Sequence, residues 1–277
     1  MADAIRRLAI RGAPLIGVAA GYGVALEPTP QACALLKAAR PTAVNLAYAV
    51  DRVAAAAEPR AEARALHAEE EAASDAIAAH GARLLEDHPR ILTHCNTGAL
   101  AAPGRGTALA VIAELHERGR LQGVLATETR PLLQGARLTA WELARLGIPF
   151  ELIVDSAAAG LVARGEVDAV IVGCDRVAAN GDVANKVGTY ALALAARAAG
   201  IPFVVAGPTS TIDLATPSGR EIAIEERDAE EVLPLGAAPG TPCRNPAFDV
   251  TPAGLVSALV TERGVLENLP EALSPAA

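Results

Sequence analysis

The chain has 277 residues and a formal net charge of −8 at pH 7, so its overall electrostatics oppose nucleic-acid binding. Hydrophobic residues make up 52% and aromatic residues 3%, which predicts one large or two modest domains with a core of Ala, Val, Leu and Ile. The 4 cysteines have no CxxC spacing and no apolar run reaches the ~18 residues of a membrane helix, so we expect a cytoplasmic protein without a membrane partner.

Residues 1–89 are predicted to form a small, mainly helical N-terminal domain. Alanine, leucine, glutamate and arginine dominate this region, and prolines divide it into segments. The predicted helices are Ala2–Ile10, Pro14–Leu26, Thr29–Ala39, Thr42–Ala57 and Ala61–Glu86.

Residues 90–277 are predicted to form a second domain in which short strands alternate with helices. This alternation indicates βαβ units, so the fold class is α/β with a Rossmann-like, mostly parallel sheet. We also expect an edge strand at Ile222–Glu225 and a late helix at Thr251–Val260. The main strands are predicted at Ile91–His94, Gly123–Thr127, Phe150–Val154, Ala169–Gly173 and Phe203–Ala206, and the helices at Thr107–Arg118, Gln134–Leu146, Ala157–Arg164 and Gly188–Ala199.

Polar residues crowd the segment that follows the strand Ala169–Gly173. Asp175, Asn180, Asp182 and Lys186 lie within a dozen positions, although a strand-to-helix loop needs only one or two capping residues. Open α/β sheets bind their ligands at the carboxyl ends of their strands. This segment therefore predicts a ligand or partner site.

A second polar cluster begins at Cys95, where the strand Ile91–His94 runs into an Asn-Thr-Gly turn. Cys95 and Asp175 would both lie at strand ends and face one crevice, and a thiol opposite a carboxylate suggests acid–base chemistry. The alternative is that Cys95 is a small apolar core residue, as we expect for Cys174. We interpret His94 as a structural histidine.

Two arginines stand before helix starts that contain proline, in Arg11-Gly12-Ala13-Pro14 and in Arg40-Pro41-Thr42. Free N–H groups at a helix start can bind an anion, and the arginines would add charge. Both segments are also compatible with ordinary helix starts. Together they suggest a phosphate site.

Several further polar residues allow both a structural and a functional interpretation. Glu128, Arg130 and Gln134 could line the same crevice or form a capped helix start, and Asp155 could be a helix N-cap. No cluster has convincing metal-ligand spacing, and no Walker or GxGxxG motif occurs. We therefore predict neither a metal nor an organic cofactor.

Taken together, these motifs resemble the methylthioribose-1-phosphate isomerase family. That family belongs to a larger group with ribose-1,5-bisphosphate isomerases and the regulatory subunits of an initiation factor's exchange factor. The resemblance runs from Ile10 to about Val265. It is carried by Arg11-Gly-Ala-Pro, Arg40-Pro-Thr-Ala-Val-Asn-Leu, Thr93-His-Cys-Asn-Thr-Gly-Ala, Glu128-Thr-Arg-Pro-Leu-Leu-Gln-Gly, Asp175-Arg-Val-Ala-Ala-Asn-Gly-Asp-Val-Ala-Asn-Lys and Asn245-Pro-Ala-Phe-Asp-Val-Thr-Pro.

The resemblance implies an aldose–ketose isomerase that acts on 5-methylthioribose 1-phosphate in methionine salvage. It also implies a homodimer that needs no cofactor. The family's catalytic cysteine corresponds to Cys95 and its catalytic aspartate to Asp175. Its substrate-binding residues correspond to Arg11, Gly12, Ala13, Arg40, Gln134, Asn185 and Lys186.

The chain departs from the family pattern at Asp155-Ser156-Ala157-Ala158, where Asp-Asn-Met-Ala is more usual. We expect this change to reshape the pocket for the substrate's 5-substituent. The sequence leaves 5-deoxyribose 1-phosphate and ribose 1,5-bisphosphate open as substrates, and a hydride shift open as the mechanism. A non-catalytic sugar-phosphate sensor of the regulatory type is the alternative from another functional class.

Overall fold

The computed structural model describes residues 1–40, 43–233, 238 and 240–274. Pro41 and Thr42, which belong to the second predicted helix start, lie outside the described residues. Among those described, no helix is long and apolar enough to cross a membrane.

The N-terminal part is helical, as predicted, and its helices bury small apolar side chains against one another. Proline in the first turn favours the starts of the helices Ala13–Leu26, Pro30–Lys37 and Pro59–Leu84, and the Thr29 hydroxyl caps the second of these by accepting the Ala32 N–H at 3.2 Å. Ile5, Val24, Leu46 and Val50 form the centre of this core. The helices are α1 Ala2–Arg6, α2 Ala13–Leu26, α3 Pro30–Lys37, α4 Val44–Ala55 and α5 Pro59–Leu84.

A seven-stranded sheet forms the centre of the remaining chain, in the spatial order β11-β10-β7-β4-β1-β2-β3. All neighbouring strands are parallel except the pair β10 and β11. The five predicted main strands are confirmed to within one residue at their ends. The strands are β1 Arg90–Thr93, β2 Gly123–Thr127, β3 Phe150–Ile153, β4 Ala169–Val172, β7 Phe203–Ala206, β10 Ala258–Thr261 and β11 Gly264–Leu266.

The strand order reverses between β1 and β4, because the chain proceeds outward through β2 and β3 on one side and through β7 and β10 on the other. This is the point at which doubly wound sheets open a crevice for ligands. The connecting helices are α6 Ala108–Glu117, α7 Ala140–Arg145 (preceded by a π-helical turn at Gly135–Thr139), α8 Ala158–Ala163 and α9 Thr189–Ala199, and α10 Leu269–Ala272 lies near the C-terminus.

The structure has a second sheet of four strands, and two of them, β5 Arg176–Ala178 and β6 Val183–Lys186, stand where we predicted only a loop between β4 and α9. Its order is β8-β5-β6-β9, and β5 and β6 form a hairpin whose turn contains Asn180 and Gly181, with Gly181 at φ 84°. Asn-Gly between two strands strongly favours a hairpin, but the many polar residues of this segment led to the prediction of a loop. The strands are β5 Arg176–Ala178, β6 Val183–Lys186, β8 Ile212–Asp213 and β9 Phe248–Thr251.

Two predicted elements near the C-terminus are wrong. Ile222–Glu225 forms no strand in the described part of the chain, although Ile222 and Ile224 pack on Val250 of the small sheet. Thr251–Val260 is not a helix: it contains the end of β9, a 3₁₀ turn at Ala253–Leu255 and the start of β10. A short apolar run buried on both faces has no period that separates a strand from a helix.

The long helix α5 contributes to two cores. Its Leu66 packs in the helical core, whereas Ile77 and Ala82 belong to the core beneath the sheet. A Cβ at Gly81 would lie 2.4 Å from Cγ2 of Val111 in α6, so glycine permits the close approach of the two helices. The division into domains 1–89 and 90–277 stays a prediction.

Glu70 of α5 should make stability depend on pH. Burial, with help from Glu262, raises its pKa to about 7 from the ordinary 4.5, although the Ser210 hydroxyl donates to it at 3.1 Å. Between these values the folded chain holds a proton that the unfolded chain releases, so stability falls as pH rises. We expect Glu70→Gln to stabilise the protein by roughly 1–3 kcal/mol more at pH 8 than at pH 5, measured by urea unfolding.

The matched control is Glu69→Gln. Arg52 lowers the pKa of Glu69, whose ion pair is therefore present at both pH values. Its effect should be nearly the same at pH 5 and pH 8. An equal effect of Glu70→Gln at both pH values would contradict the prediction.

Candidate functional site

A cavity of about 270 Å³ opens at the carboxyl ends of β1 and β4, where the strand order reverses. The loops after these strands form part of its wall, and the start of α2 and the hairpin strand β6 form other parts. All the site residues predicted from sequence line it: Arg11, Gly12, Ala13, Arg40, Cys95, Gln134, Asp175, Asn185 and Lys186. Their roles stay predictions.

Cys95 follows β1 directly and its backbone is in the left-handed region, at φ 64°. Two threonines fix this turn: the Cys95 N–H donates to the Thr129 hydroxyl at 2.9 Å, and the Thr139 hydroxyl donates to the Cys95 carbonyl at 2.6 Å. The thiol is buried, and its Sγ lies 4.0 Å from Nη2 of Arg11. The thiol and the guanidinium therefore face the same part of the cavity.

Asp175 lies in the short connection that follows β4, directly before β5, and its N–H donates to the Ala184 carbonyl of β6 at 2.9 Å. Burial raises the pKa of its carboxyl group, and the positive charges of Lys186, Arg40 and Arg11 oppose that rise. The raised pKa means that the protonated form persists to higher pH than for an exposed aspartate. Such a group can serve as a general acid.

Five cationic side chains line the cavity, and Asp175 is the one carboxylate among its described lining residues. Nη2 of Arg40 lies 2.7 Å from Glu225, and Nζ of Lys186 donates to the Ala247 carbonyl at 2.9 Å. The excess of positive charge suits an anionic ligand. The five are Arg11, Arg40, Arg137, Lys186 and Arg227.

Arg137 and Arg227 were not predicted from sequence. Arg137 is exposed on the π-helical turn and donates to the Leu132 carbonyl at 3.2 Å. Arg227 lies in an irregular segment and is held by Glu225, at 3.0 Å, and by Glu231. Only the spacing of the Gln134-Gly-Ala-Arg137 motif could have pointed to Arg137, and no local pattern marks Arg227.

Gly12 and Ala13 bring the N-terminus of α2 to the cavity wall. Gly12 has φ 94°, and a Cβ there would lie 2.1 Å from the Ala101 carbonyl oxygen, so the turn requires glycine. Pro14 in the first turn fits a helix start, and the helix dipole attracts anions there, although the Leu15 N–H already donates to the Ala101 carbonyl at 3.3 Å.

Gln134 and Asn185 are the amides of the cavity wall. Gln134 is 8% exposed, and its Oε1 has no hydrogen-bond partner within the described part of the chain. Asn185 donates to the Thr189 hydroxyl at 2.9 Å. Glu128 and Arg130, which could have lined the same crevice, are not among the described lining residues, and Arg130 donates to backbone carbonyls, among them that of Val232 at 3.2 Å.

His94 and Asp155 are structural, though Asp155 does not act as predicted. Both ring nitrogens of His94 are within hydrogen-bond distance of a partner, the Thr127 hydroxyl at 2.6 Å and the Val187 carbonyl at 2.9 Å. Asp155 caps no helix; its carboxylate accepts the N–H groups of Thr129 and Arg130 at 2.7 and 2.6 Å.

The residues after Asp155 do not reach the site. Ser156, Ala157 and Ala158 are absent from the described cavity lining, so the departure from the family pattern lies away from this cavity, contrary to expectation. No group of three or more His, Cys, Asp or Glu side chains in the described ranges could hold a metal ion.

The sequence of this chain is similar to those of known proteins. The model of the initiation factor 2 subunit family matches residues 27–268. Methylthioribose-1-phosphate isomerase of Anaeromyxobacter sp. (strain K) is 56% identical over 283 residues, which are 96% of this chain and 84% of that protein.

Solved structures with the same fold include an isomerase and an initiation-factor subunit. The crystal structure of 5-methylthioribose 1-phosphate isomerase from Pyrococcus horikoshii OT3 has a TM-score of 0.89 at 42% identity, covering 98% of this chain and 85% of that one. Translation initiation factor eIF-2B subunit delta from A. fulgidus has a TM-score of 0.84 at 39% identity, covering 98% and 89%. Sequence and fold agree along nearly the whole length, and the chain therefore belongs to the initiation factor 2 subunit family, among its methylthioribose-1-phosphate isomerases.

Proposed function

We propose that this chain is an aldose–ketose isomerase that converts 5-methylthioribose 1-phosphate to 5-methylthioribulose 1-phosphate. The observation that carries the proposal is the pair Cys95 and Asp175, which line one strongly cationic cavity at the ends of adjacent strands. The name of the relatives that are 51–56% identical to the chain supports the substrate. Methionine salvage is the pathway that this reaction implies.

The reaction needs an acid and a base because the phosphate on the anomeric oxygen prevents simple opening of the ring. In the proposed mechanism Asp175, in its protonated form, gives its proton to the ring oxygen as the bond from that oxygen to carbon 1 breaks. Cys95, as a thiolate, takes the proton from carbon 2. The Cys95 thiol then returns its proton to carbon 1 of the resulting enol phosphate, and the hydroxyl on carbon 2 gives its proton to the Asp175 carboxylate as the carbonyl forms, which restores both groups. A hydride shift from carbon 2 to carbon 1 is the alternative.

The 1-phosphate would bind between Arg11, Arg40, Lys186 and the N-terminus of α2. Arginine and lysine donate charge-assisted hydrogen bonds to phosphate, and a helix N-terminus adds backbone N–H groups. Arg11 would then serve two anions, since its Nη2 also lies 4.0 Å from Sγ of Cys95. Gln134 and Asn185 would bind sugar hydroxyls.

A side cavity of about 50 Å³ adjoins Asp175, and part of its wall is apolar, with Ile16, Ile222 and Phe248 among its residues. Two arginines also line it, and both are paired with carboxylates: Arg40 with Glu225 and Arg176 with Asp213. In the sugar, carbon 4 joins the ring oxygen to carbon 5, so the group on carbon 5 would lie near the acid that protonates that oxygen. The apolar part of the wall and the paired arginines favour a thioether there over a second phosphate.

The second candidate substrate is ribose 1,5-bisphosphate. It is favoured by two additional cations of the cavity wall, Arg137 and Arg227, which could bind a second phosphate. Arg227 is already paired with two carboxylates, and Arg137 is exposed. Neither therefore offers the buried, uncompensated charge that a second phosphate would need.

A regulatory subunit, the alternative from another functional class, would bind a sugar phosphate without turning it over. We further propose a cytoplasmic homodimer that does not bind nucleic acid.

Cys95→Ser should lower kcat by at least about 10²-fold, because a serine hydroxyl is a much weaker base than a thiolate. Substrate binding, measured by calorimetry on the same preparation, should stay within a few-fold. Cys174→Ser is the matched control: this thiol is also buried and lies 3.3 Å from the Thr211 hydroxyl, so serine can keep the contact. Near-normal turnover of Cys95→Ser would refute the thiol base.

Asp175→Asn should abolish most turnover, since an amide cannot release the proton that opens the ring. In the wild type, kcat/KM should fall as pH rises through the elevated pKa of Asp175, because the acid form is consumed. The variant's residual activity should lack this descending limb. Asp182→Asn is the control: that carboxylate accepts the N–H groups of Gly219 and Ala253 and should affect stability instead. An unchanged pH profile in Asp175→Asn would remove Asp175 from the acid role.

Turnover of three competing sugar phosphates tests the function itself. The 5-methylthio compound should have the highest kcat/KM, the 5-deoxy analogue should follow within about 10–200-fold, and ribose 1,5-bisphosphate should be poorest. Ile222→Ala should reduce the advantage of the methylthio compound over the 5-deoxy analogue. A preference for the bisphosphate would exclude the proposed substrate, and binding of all three without turnover would favour the regulatory alternative.

A further inference from the structure

Glu142 of α7 is a buried carboxylate that the proposed reaction does not use. It is 6% exposed and points into the turn that follows Cys95. There it accepts the side-chain N–H of Asn96 at 2.7 Å and the backbone N–H groups of Ala99 and Leu100. Burial raises the pKa of Glu142, and these donors oppose the rise. A Cβ at Gly98 would lie 2.3 Å from its Oε2, so glycine there makes room for this carboxylate.

Asn96 connects this carboxylate to Arg11. Its Nδ2 faces Glu142, and its Oδ1 accepts Nη1 of Arg11. A second guanidinium nitrogen, Nη2, donates to the Asn96 backbone carbonyl at 3.1 Å. An ionised carboxylate can only accept hydrogen bonds, so it requires the NH₂ end of the amide. Only then does the amide oxygen face the arginine.

We propose that Glu142 is a positioning residue for the reaction: through Asn96 it fixes the guanidinium of Arg11 beside Cys95. The geometry supports this because the same guanidinium has Nη2 4.0 Å from Sγ of Cys95 and lines the cavity. Arginine carries about 2 kcal/mol of rotamer entropy, so a free side chain at the cavity mouth would spend little time in this one orientation. The chain of contacts runs from Glu142 to Asn96, to Arg11 and to the thiol. The effect of Glu142 on catalysis rests on the proposed function, whereas the hydrogen-bond path itself does not.

The test measures the thiol directly. The rate at which iodoacetamide alkylates Cys95 is followed by peptide mass spectrometry across a pH series, because the thiolate is the reactive form. The midpoint of this profile reports thiolate stabilisation, whereas a change in accessibility alters only the rate at its plateau. Glu142→Ala should raise the midpoint by about one pH unit, which is a tenfold smaller thiolate fraction at a fixed lower pH.

Two further variants identify the path. Arg11→Ala should raise the midpoint by at least as much, and the double variant Glu142→Ala/Arg11→Ala should shift no further than Arg11→Ala alone. Asn96→Ala removes the bridge but keeps Glu142, so it should reproduce Glu142→Ala and replaces that variant if it does not fold. Glu142→Gln keeps an acceptor for Asn96 and should shift the midpoint by less than half as much. Glu117→Ala, at an exposed position of α6, is the control and should not shift it.

An unchanged midpoint in both Glu142→Ala and Asn96→Ala would overturn the proposal, and so would additive shifts in the double variant. The alkylation profile does not depend on turnover, so these outcomes are distinct from failure of the isomerase assignment. If the chain is an isomerase, kcat of Glu142→Ala should fall about tenfold and be largely restored in Glu142→Gln.

Discussion

Strands β1 and β4 lie side by side and parallel, with Ile91 opposite Ala169 and Thr93 opposite Ile171. The Thr93 hydroxyl adds a hydrogen bond of 2.8 Å to the Ile171 carbonyl. Beyond this pair the chain turns to opposite sides of the sheet, so the loops diverge and a crevice remains between them. The placement of the thiol relative to the carboxylate depends on this register, because a slip of one residue would reverse the faces of a strand.

The charge of the cavity is opposite in sign to that of the whole chain. A protein with net charge −8 places five cations around one carboxylate, and two of them, Arg40 and Arg227, share Glu225 as a partner. That partner limits how much positive charge the cavity carries, while burial raises the pKa of Asp175. The same wall can therefore attract a phosphate and retain an acid, two demands that would conflict if every cation were unpaired.

Much of this arrangement could be predicted from the sequence because its signals are local. Strand runs such as Phe203–Ala206 and the Cys95 turn carry their own pattern, and the motif resemblance brought distant segments such as Arg11 and Lys186 to one site. The hairpin β5–β6 was missed because its polar residues resembled a loop. The roles of Arg227 and of the buried Glu142 could not be predicted for another reason. They depend on contacts formed in the folded chain, and no local sequence pattern indicates those contacts.

The residues around the main cavity and the side cavity differ in how firmly their backbone is held. Asp175, Asn185 and Lys186 belong to or adjoin a hairpin whose backbone hydrogen bonds fix their spacing, so an altered residue there would disturb several positions at once. Ile222 and Ile224 line the smaller side cavity and come from a described segment outside any strand, so their side chains can be exchanged without breaking a ladder. Proteins with this fold can therefore change their preference for the substituent on carbon 5 of the sugar while keeping Asp175 and the neighbouring hairpin residues unchanged.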